Sequence, residues 1–175
     1  MRSLLRSTAL ASVVAGVLLA MPLVASANPS EVYMNDACSP SFNVVVGPGT
    51  CTSPGGMPFG MFVQRLAQNK FVGAWRFSAP QVHLNAGDSL TVENRGGETH
   101  SVTEVTQFGG GGIVGVINQI MFGTLTPPIF FDPAGPLNFV GSGGKTTILS
   151  STLTTGTHFF QCVIHPWMEE TVIVK

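Results

Sequence analysis

Charge is scarce in this chain of 175 residues. Only 10% of the residues are Asp, Glu, Lys or Arg, against about a quarter in an average soluble domain. Eight Lys and Arg stand against nine Asp and Glu, and the basic residues form no stripe. Without such a stripe a protein cannot neutralise the phosphates of a nucleic acid, so nucleic-acid binding is excluded.

Long helical periodicity is also missing beyond the first 27 residues, whereas 21 Gly and 12 Pro divide the chain into short β-prone segments. The pattern predicts an all-β fold, a Greek-key β-sandwich of antiparallel strands. Residues 61–69 favour one or two helical turns. The strand candidates are residues 42–46, 71–77, 81–85, 89–94, 101–105, 145–153, 157–164 and 171–174.

The first 27 residues have the pattern of a signal peptide. Arg2 and Arg6 precede an apolar stretch over residues 10–23, and Ala25-Ser-Ala27 supplies the small residues of a cleavage site. We expect cleavage after about Ala27 and a periplasmic or secreted protein. The mature chain would then be one domain of 148 residues, with a net charge of −3 and no membrane span.

Three cysteines in an exported protein leave one without a partner. A disulfide between Cys38 and Cys51 would close a short loop and stabilise the fold by roughly 3 kcal/mol. Cys162 would then stay free in an oxidising compartment, where a bound metal would protect it. The alternative pairs Cys162 with one of the other two and leaves a thiol on the surface.

The most informative segment is Cys162-Val-Ile-His165-Pro-Trp-Met168, which follows a strand-like run. It offers a thiolate, an imidazole and a thioether, and His100 supplies a second imidazole from a distant loop. A trigonal Cys-His-His site with a weak axial Met suits a copper ion that cycles between two oxidation states. We therefore predict one type 1 copper per chain. Zinc is the rival metal, but Met is foreign to structural zinc sites.

These residues make the chain resemble the cupredoxins, the small blue-copper proteins, with a ligand spacing similar to that of amicyanin and plastocyanin. The resemblance covers roughly residues 75–175, including the strand-turn-strand pattern of residues 77–88, the run before Cys162 and the final Thr171-Val-Ile-Val174. It implies a Greek-key sandwich and the copper ligands His100, Cys162, His165 and Met168.

Three neighbours of the ligands are expected to support the site. Cupredoxins commonly carry Asn after the first ligand His, bridging to the Cys loop; Ser101 stands there in this chain. Pro166 favours the sharp turn that lets His165 and Met168 reach the same ion. Trp167 would either shield an edge of His165 or contact a redox partner.

We expect the chain to divide into the signal peptide over residues 1–27, an N-terminal extension over residues 28–70 with the disulfide, and a cupredoxin-like copper-binding domain over residues 71–175. An insertion over residues 106–144 is apolar, and Asp132 is its one charged side chain. We expect the apolar residues between 113 and 131 to cover a face of a sheet; the alternative is a surface for docking a partner.

Electron transfer is the predicted function, carried out by a monomer between a donor and an acceptor redox protein. The alternative is a protein that stores, buffers or delivers copper. We do not expect an enzyme, because an oxidase or reductase would need a second copper centre and only His83 and His158 remain.

Overall fold

The computed structural model describes residues 29–53 and 55–175, so the expected signal peptide lies outside the described residues. The strands are β1 (Pro29–Asn35), β2 (Arg76–Phe77), β3 (Gln81–Leu84), β4 (Ser89–Asn94), β5 (His100–Ser101), β6 (Thr103–Val105), β7 (Phe139–Val140), β8 (Lys145–Leu149), β9 (Gly156–Gln161) and β10 (Glu169–Val174). The helices are α1 (Ser41–Val45), α2 (Phe59–Asn69) and α3 (Gly115–Phe122), with a short 3₁₀ turn at Ser150–Thr152.

Two four-stranded sheets form the body of the protein. Their strand orders are β2-β1-β4-β8 and β3-β10-β9-β6, and β5 and β7 form a separate pair. The two-sheet sandwich is confirmed, as a mainly β fold with helices rather than an all-β one. The prediction of purely antiparallel sheets is wrong, because β1 runs parallel to β4 and β3 runs parallel to β10.

The core lies between the sheets, where alternate residues of each strand point inward. Leu90 and Val92 of β4 are buried, as are Val172 and Val174 of β10. Burying each such side chain stabilises the fold by about 1.5–3 kcal/mol relative to leaving it exposed. The strand ends, and the loops that carry the candidate ligands, are therefore fixed to a rigid body.

The N-terminal segment shares this core. β1 lies between β2 and β4, with Val32 opposite Val92. The predicted disulfide between Cys38 and Cys51 is present, with 6.0 Å between the Cα atoms. α1 and α2 contribute Phe42 and Phe62 to an aromatic cluster around the buried Trp75.

Two strand predictions in this part of the chain are wrong. Residues 42–45 lie in helix α1, and Val46 caps its end, because the short disulfide loop offers these residues no strand to pair with. The Asn43 side chain bonds both the N–H and the carbonyl of Cys51, at 2.7 and 2.8 Å. Within residues 71–77 only Arg76–Phe77 is a strand, since the N–H of Trp75 closes a turn onto the Val72 carbonyl.

The insertion over residues 106–144 contains helix α3, which the sequence pattern did not indicate. The buried side chain of Asn118 bonds the N–H and the carbonyl of Gly112 and the carbonyl of Leu125, at 2.9, 2.9 and 3.1 Å. The expected covering role is only partly right: Ile120 and Met121 pack against the core, whereas Ile113 is half exposed. Among the described residues, no helix has the length and apolarity to cross a membrane.

Candidate copper site

The loop after β9 brings three predicted ligands to one end of the sandwich. Cys162 directly follows β9, and its N–H donates to the Met168 carbonyl at 3.0 Å. The N–H of Met168 donates in turn to the His165 carbonyl at 2.9 Å, which closes a turn that has Pro166 and Trp167 at its centre. The fourth residue, His100, opens the short strand β5 and pairs with Val140.

The side chains of His100, Cys162 and His165 converge. Nδ1 of His100 lies 3.9 Å from Sγ of Cys162, and Nδ1 of His165 lies 3.8 Å from the same sulfur. All three donor atoms lie within 4.8 Å of one another. Both imidazoles thus present the same nitrogen to the thiol. Met168, fully buried, belongs to the adjoining core.

These separations fit a bound transition metal. Bonds of about 2.05 Å to nitrogen and about 2.3 Å to sulfur, at a trigonal angle of about 120°, place the two donor atoms about 3.8 Å apart. The sulfur-nitrogen distances of 3.8 and 3.9 Å match this value. Soft sulfur and imidazole donors are the set that copper prefers. The cluster therefore fits a type 1 copper ion.

The site favours a thiolate at Cys162. Burial by itself raises the pKa of this thiol, but hydrogen bonds from His100 and His165 outweigh burial and hold it well below its usual value. The backbone N–H of Ser101 also donates to the sulfur, at 3.3 Å. Burial lowers the pKa of His100, yet Asp36 and Cys162 together raise it to about 9. Loading with a metal must therefore displace protons.

Ser101 links the two ligand-bearing segments. Its Oγ accepts a hydrogen bond from the N–H of Val163 at 2.9 Å and lies 3.0 Å from Oγ1 of Thr103. The hydroxyl therefore forms the bridge to the Cys loop that Asn commonly forms in cupredoxins. Because Ser101 is fully buried, the bridge is protected from water.

Two buried carboxylates lie behind the imidazoles, and the sequence pattern indicated neither. Oδ2 of Asp36 lies 2.9 Å from Nε2 of His100, and Oε2 of Glu98 lies 3.6 Å from Nε2 of His165. Glu98 also accepts a hydrogen bond from Nε1 of Trp75 at 2.6 Å. Nothing in the local sequence marks these carboxylates, because each faces a histidine far away along the chain: Asp36 is 64 residues from His100, and Glu98 faces His165 rather than its neighbour His100.

Aromatic rings cover His165. Trp167 packs edge-on against its imidazole, with 5.4 Å between ring centroids, and Phe62 and Trp75 each lie 6.3 Å away. His165 is consequently only 2% exposed, and the neighbouring Pro166 is buried. Trp167 therefore shields an edge of His165, but it is only half-buried, and its contact with a redox partner stays a prediction.

The remaining histidines lie apart from this cluster. His83 is exposed and lies beside Gln81, as expected of a surface residue. His158 lies between Glu104 and the Thr154 carbonyl. Across residues 29–53 and 55–175, the cluster of His100, Cys162 and His165 is the one group of such side chains with the spacing of a metal site.

Solved structures that this chain is similar to include a cupredoxin and several amicyanins. One is a purple cupredoxin from Nitrosopumilus maritimus, 14% identical over 83% of this chain and 99% of that chain, with a TM-score of 0.42. Another is the amicyanin of Paracoccus versutus, 20% identical over 57% of this chain and 73% of that one, with a TM-score of 0.37. No family model and no curated protein matches. Similarities this distant say nothing about function. The function of this chain has to be inferred from its own residues.

Proposed function

We propose that this chain is an exported, cupredoxin-like type 1 copper protein with Greek-key connectivity that carries single electrons between redox partners. The observation that carries the proposal is the convergence of two imidazole Nδ1 atoms on the Cys162 sulfur, in a site whose ligands are almost completely buried. A copper ion bound there supplies the Cu(II)/Cu(I) couple.

The side chains of the protein prepare the site for that couple. Cys162 offers a thiolate, which the N–H of Ser101 and the two imidazoles favour. The Ser101 bridge and the hydrogen bonds within the 162–168 loop fix the donor atoms. Dense packing around them excludes water and resists rearrangement when the charge of the site changes. A site that changes shape little suits rapid electron transfer.

Partners follow from this role. The carrier needs a donor and an acceptor that exchange one electron with it. Weak interfaces of small area allow such partners to bind and dissociate quickly. We propose a monomeric carrier without enzymatic activity, located in the periplasm or secreted. The signal-peptide pattern over residues 1–27 supports export.

Copper storage or delivery is the competing function. It requires a metal that leaves readily, whereas His100, Cys162 and Met168 have no exposed surface and His165 lies under Phe62, Trp75 and Trp167. An ion can leave such a site only when the loop or its aromatic cover opens. Burial therefore favours the electron carrier.

The test loads the mature protein with Cu(II) and measures three quantities: the visible absorption, the electron self-exchange rate and the rate of copper loss to a chelator. We expect an intense thiolate-to-copper band in the wild type and none in Cys162→Ser. We also expect fast self-exchange and slow copper loss.

A colourless wild-type complex would contradict the site assignment itself. Slow self-exchange together with rapid copper loss would instead contradict the proposal of an electron carrier and favour copper storage or delivery.

A further inference from the structure

Both candidate imidazole ligands are backed by buried carboxylates that are far along the chain from the histidine they face. We propose that Asp36 and Glu98 are positioning residues: they hold the ligand nitrogens of His100 and His165 toward the copper and stabilise Cu(II) relative to Cu(I). The inference rests on the proposed copper site and deepens it, because it identifies residues that set the reduction potential.

Asp36 fixes the orientation of His100. An imidazole that binds a metal through Nδ1 carries its proton on Nε2, and here Nε2 lies 2.9 Å from Oδ2 of Asp36. Neither side chain has exposed surface, so water does not compete for this hydrogen bond. The carboxylate is an acceptor at both oxygens, so it keeps the proton on Nε2 when a metal displaces the proton on Nδ1.

Asp36 is itself held from two sides. Its Oδ1 accepts from the N–H of Cys38 at 3.0 Å, and its Oδ2 accepts from the N–H of Glu98 at 2.9 Å. The loop before His100 is shaped around this carboxylate: a side chain at Gly96 would collide with Asp36, and one at Gly97 would collide with the Cys38 sulfur. The disulfide, the loop and the carboxylate therefore form one rigid support.

Glu98 occupies the equivalent position behind His165. Its Oε2 accepts a hydrogen bond of 2.6 Å from Nε1 of Trp75, and the same oxygen lies 3.6 Å from Nε2 of His165. The side chain of Glu98 is 9% exposed. Trp75 fixes the carboxylate, and the carboxylate faces the ring nitrogen that does not point at the sulfur. Each candidate ligand thus has a carboxylate behind its Nε2, at hydrogen-bond distance for His100 and at ion-pair distance for His165.

The expected effect on the reduction potential follows from the negative charge of the carboxylates. Carboxylate character behind an imidazole makes the ring a stronger donor, and negative charge in a poorly screened interior acts over several ångströms. Cu(II) carries one more positive charge than Cu(I), so it gains more from both effects. These carboxylates should therefore lower the reduction potential of the site.

The test compares the copper-loaded wild type with Asp36→Asn and Glu98→Gln. Affinities for Cu(II) and for Cu(I) are measured separately by chelator competition, and the potential by titration with redox mediators. For each variant we expect the ratio of Cu(II) to Cu(I) affinity to fall about tenfold, which raises the potential of a one-electron couple by about 59 mV.

Glu104→Gln is the matched control, because Glu104 also faces an imidazole, at 2.7 Å from His158, but away from the copper ligands. Its potential should equal that of the wild type. A purely structural role would weaken both affinities alike and leave the potential unchanged. If loss of the Asp36 backbone hydrogen bonds prevents Asp36→Asn from folding, the reduction potential of Glu98→Gln tests the inference by itself.

Unshifted potentials in the folded variants would overturn the inference. The carrier proposal fails separately, through slow self-exchange in the wild type, so each idea can fail while the other stands.

Discussion

His158 is placed so that both nitrogens of its imidazole face hydrogen-bond acceptors. Nδ1 lies 2.7 Å from Oε1 of Glu104, and Nε2 lies 2.8 Å from the carbonyl of Thr154. A neutral imidazole can donate from only one nitrogen, so the protonated ring fits this place better. Burial opposes protonation of His158, but Glu104 and the Thr154 carbonyl outweigh burial and raise its pKa above 6.5.

The His158 pair should make stability depend on pH. Because the folded pKa is raised, its contribution is complete below the unfolded value of about 6.5 and is lost as the pH rises through the folded pKa. Glu104→Gln should therefore lower the free energy of unfolding by about 0.5–1 kcal/mol at pH 5.5 and by almost nothing at pH 9. Urea unfolding at the two pH values measures the difference; an equal loss at both would contradict this assignment.

At the residue scale, the sequence predicts side chains whose chemistry is unusual and whose spacing is short. A thiol, an imidazole and a thioether within seven residues point to one metal, so Cys162, His165 and Met168 could be predicted as ligands from the chain alone, and the structure brings Cys162 and His165 together with His100. Asp36 and Glu98 could not, because a carboxylate is common on any surface. Their meaning comes only from the fold, which buries them beside the two histidines.

At the scale of elements, the insertion supports the ligand loop through a close backbone contact. The N–H of Ile113 donates to the carbonyl of Val163 at 2.8 Å, and Asn118 fixes the backbone of Gly112 next to it. Any Cβ at Gly112 would overlap the Val163 carbonyl. Val163 lies between two candidate ligands, so this contact connects the insertion to the copper site.

Gly112→Ala should therefore disturb both stability and the copper spectrum. The added methyl group must displace the Val163 carbonyl, at a cost of about 1–3 kcal/mol. We expect a shifted or weakened thiolate-to-copper band and a lower free energy of unfolding. Gly141→Ala is the control, since a Cβ there meets no atom within 4 Å. Identical spectra and unfolding curves for the two variants would show that the contact is unimportant.

The element errors have a common physical origin. Residues 42–46 include three consecutive valines and therefore favour a strand, yet a strand needs a neighbour to pair with. None is within reach inside the disulfide loop, and helix α1 satisfies the backbone locally. Conversely, Pro29–Asn35 lacks a strong strand pattern but becomes β1 because β2 and β4 lie on either side of it. In both segments the presence or absence of a neighbouring strand determines the secondary structure.

At the scale of the whole molecule, the site joins distant parts of the chain. The candidate ligand His100 belongs to β5, its supporting residue Asp36 to the segment after β1, and the other candidate ligands to the loop before β10. A metal held by such distant residues binds the folded chain far better than the unfolded one. Binding should therefore stabilise the entire sandwich.

Copper removal should lower the thermal stability of the wild type. With free copper at about 1,000 times the dissociation constant, linkage predicts a gain of about 4 kcal/mol over the copper-free protein. Calorimetry with and without a chelator measures the gain, and Cys162→Ser should show little of it. An unchanged melting temperature on copper loading would contradict preferential binding to the native state.

The central position of β10 has a consequence for assembly. This strand lies between β3 and β9 in the second sheet, and β3 has no other partner in that sheet. β3 can therefore pair only with a strand far along the chain, so the second sheet closes through contacts between residues distant in sequence, a topology that folds slowly. Substitutions that weaken β10 should leave β3 and β9 with unpaired edges prone to aggregation.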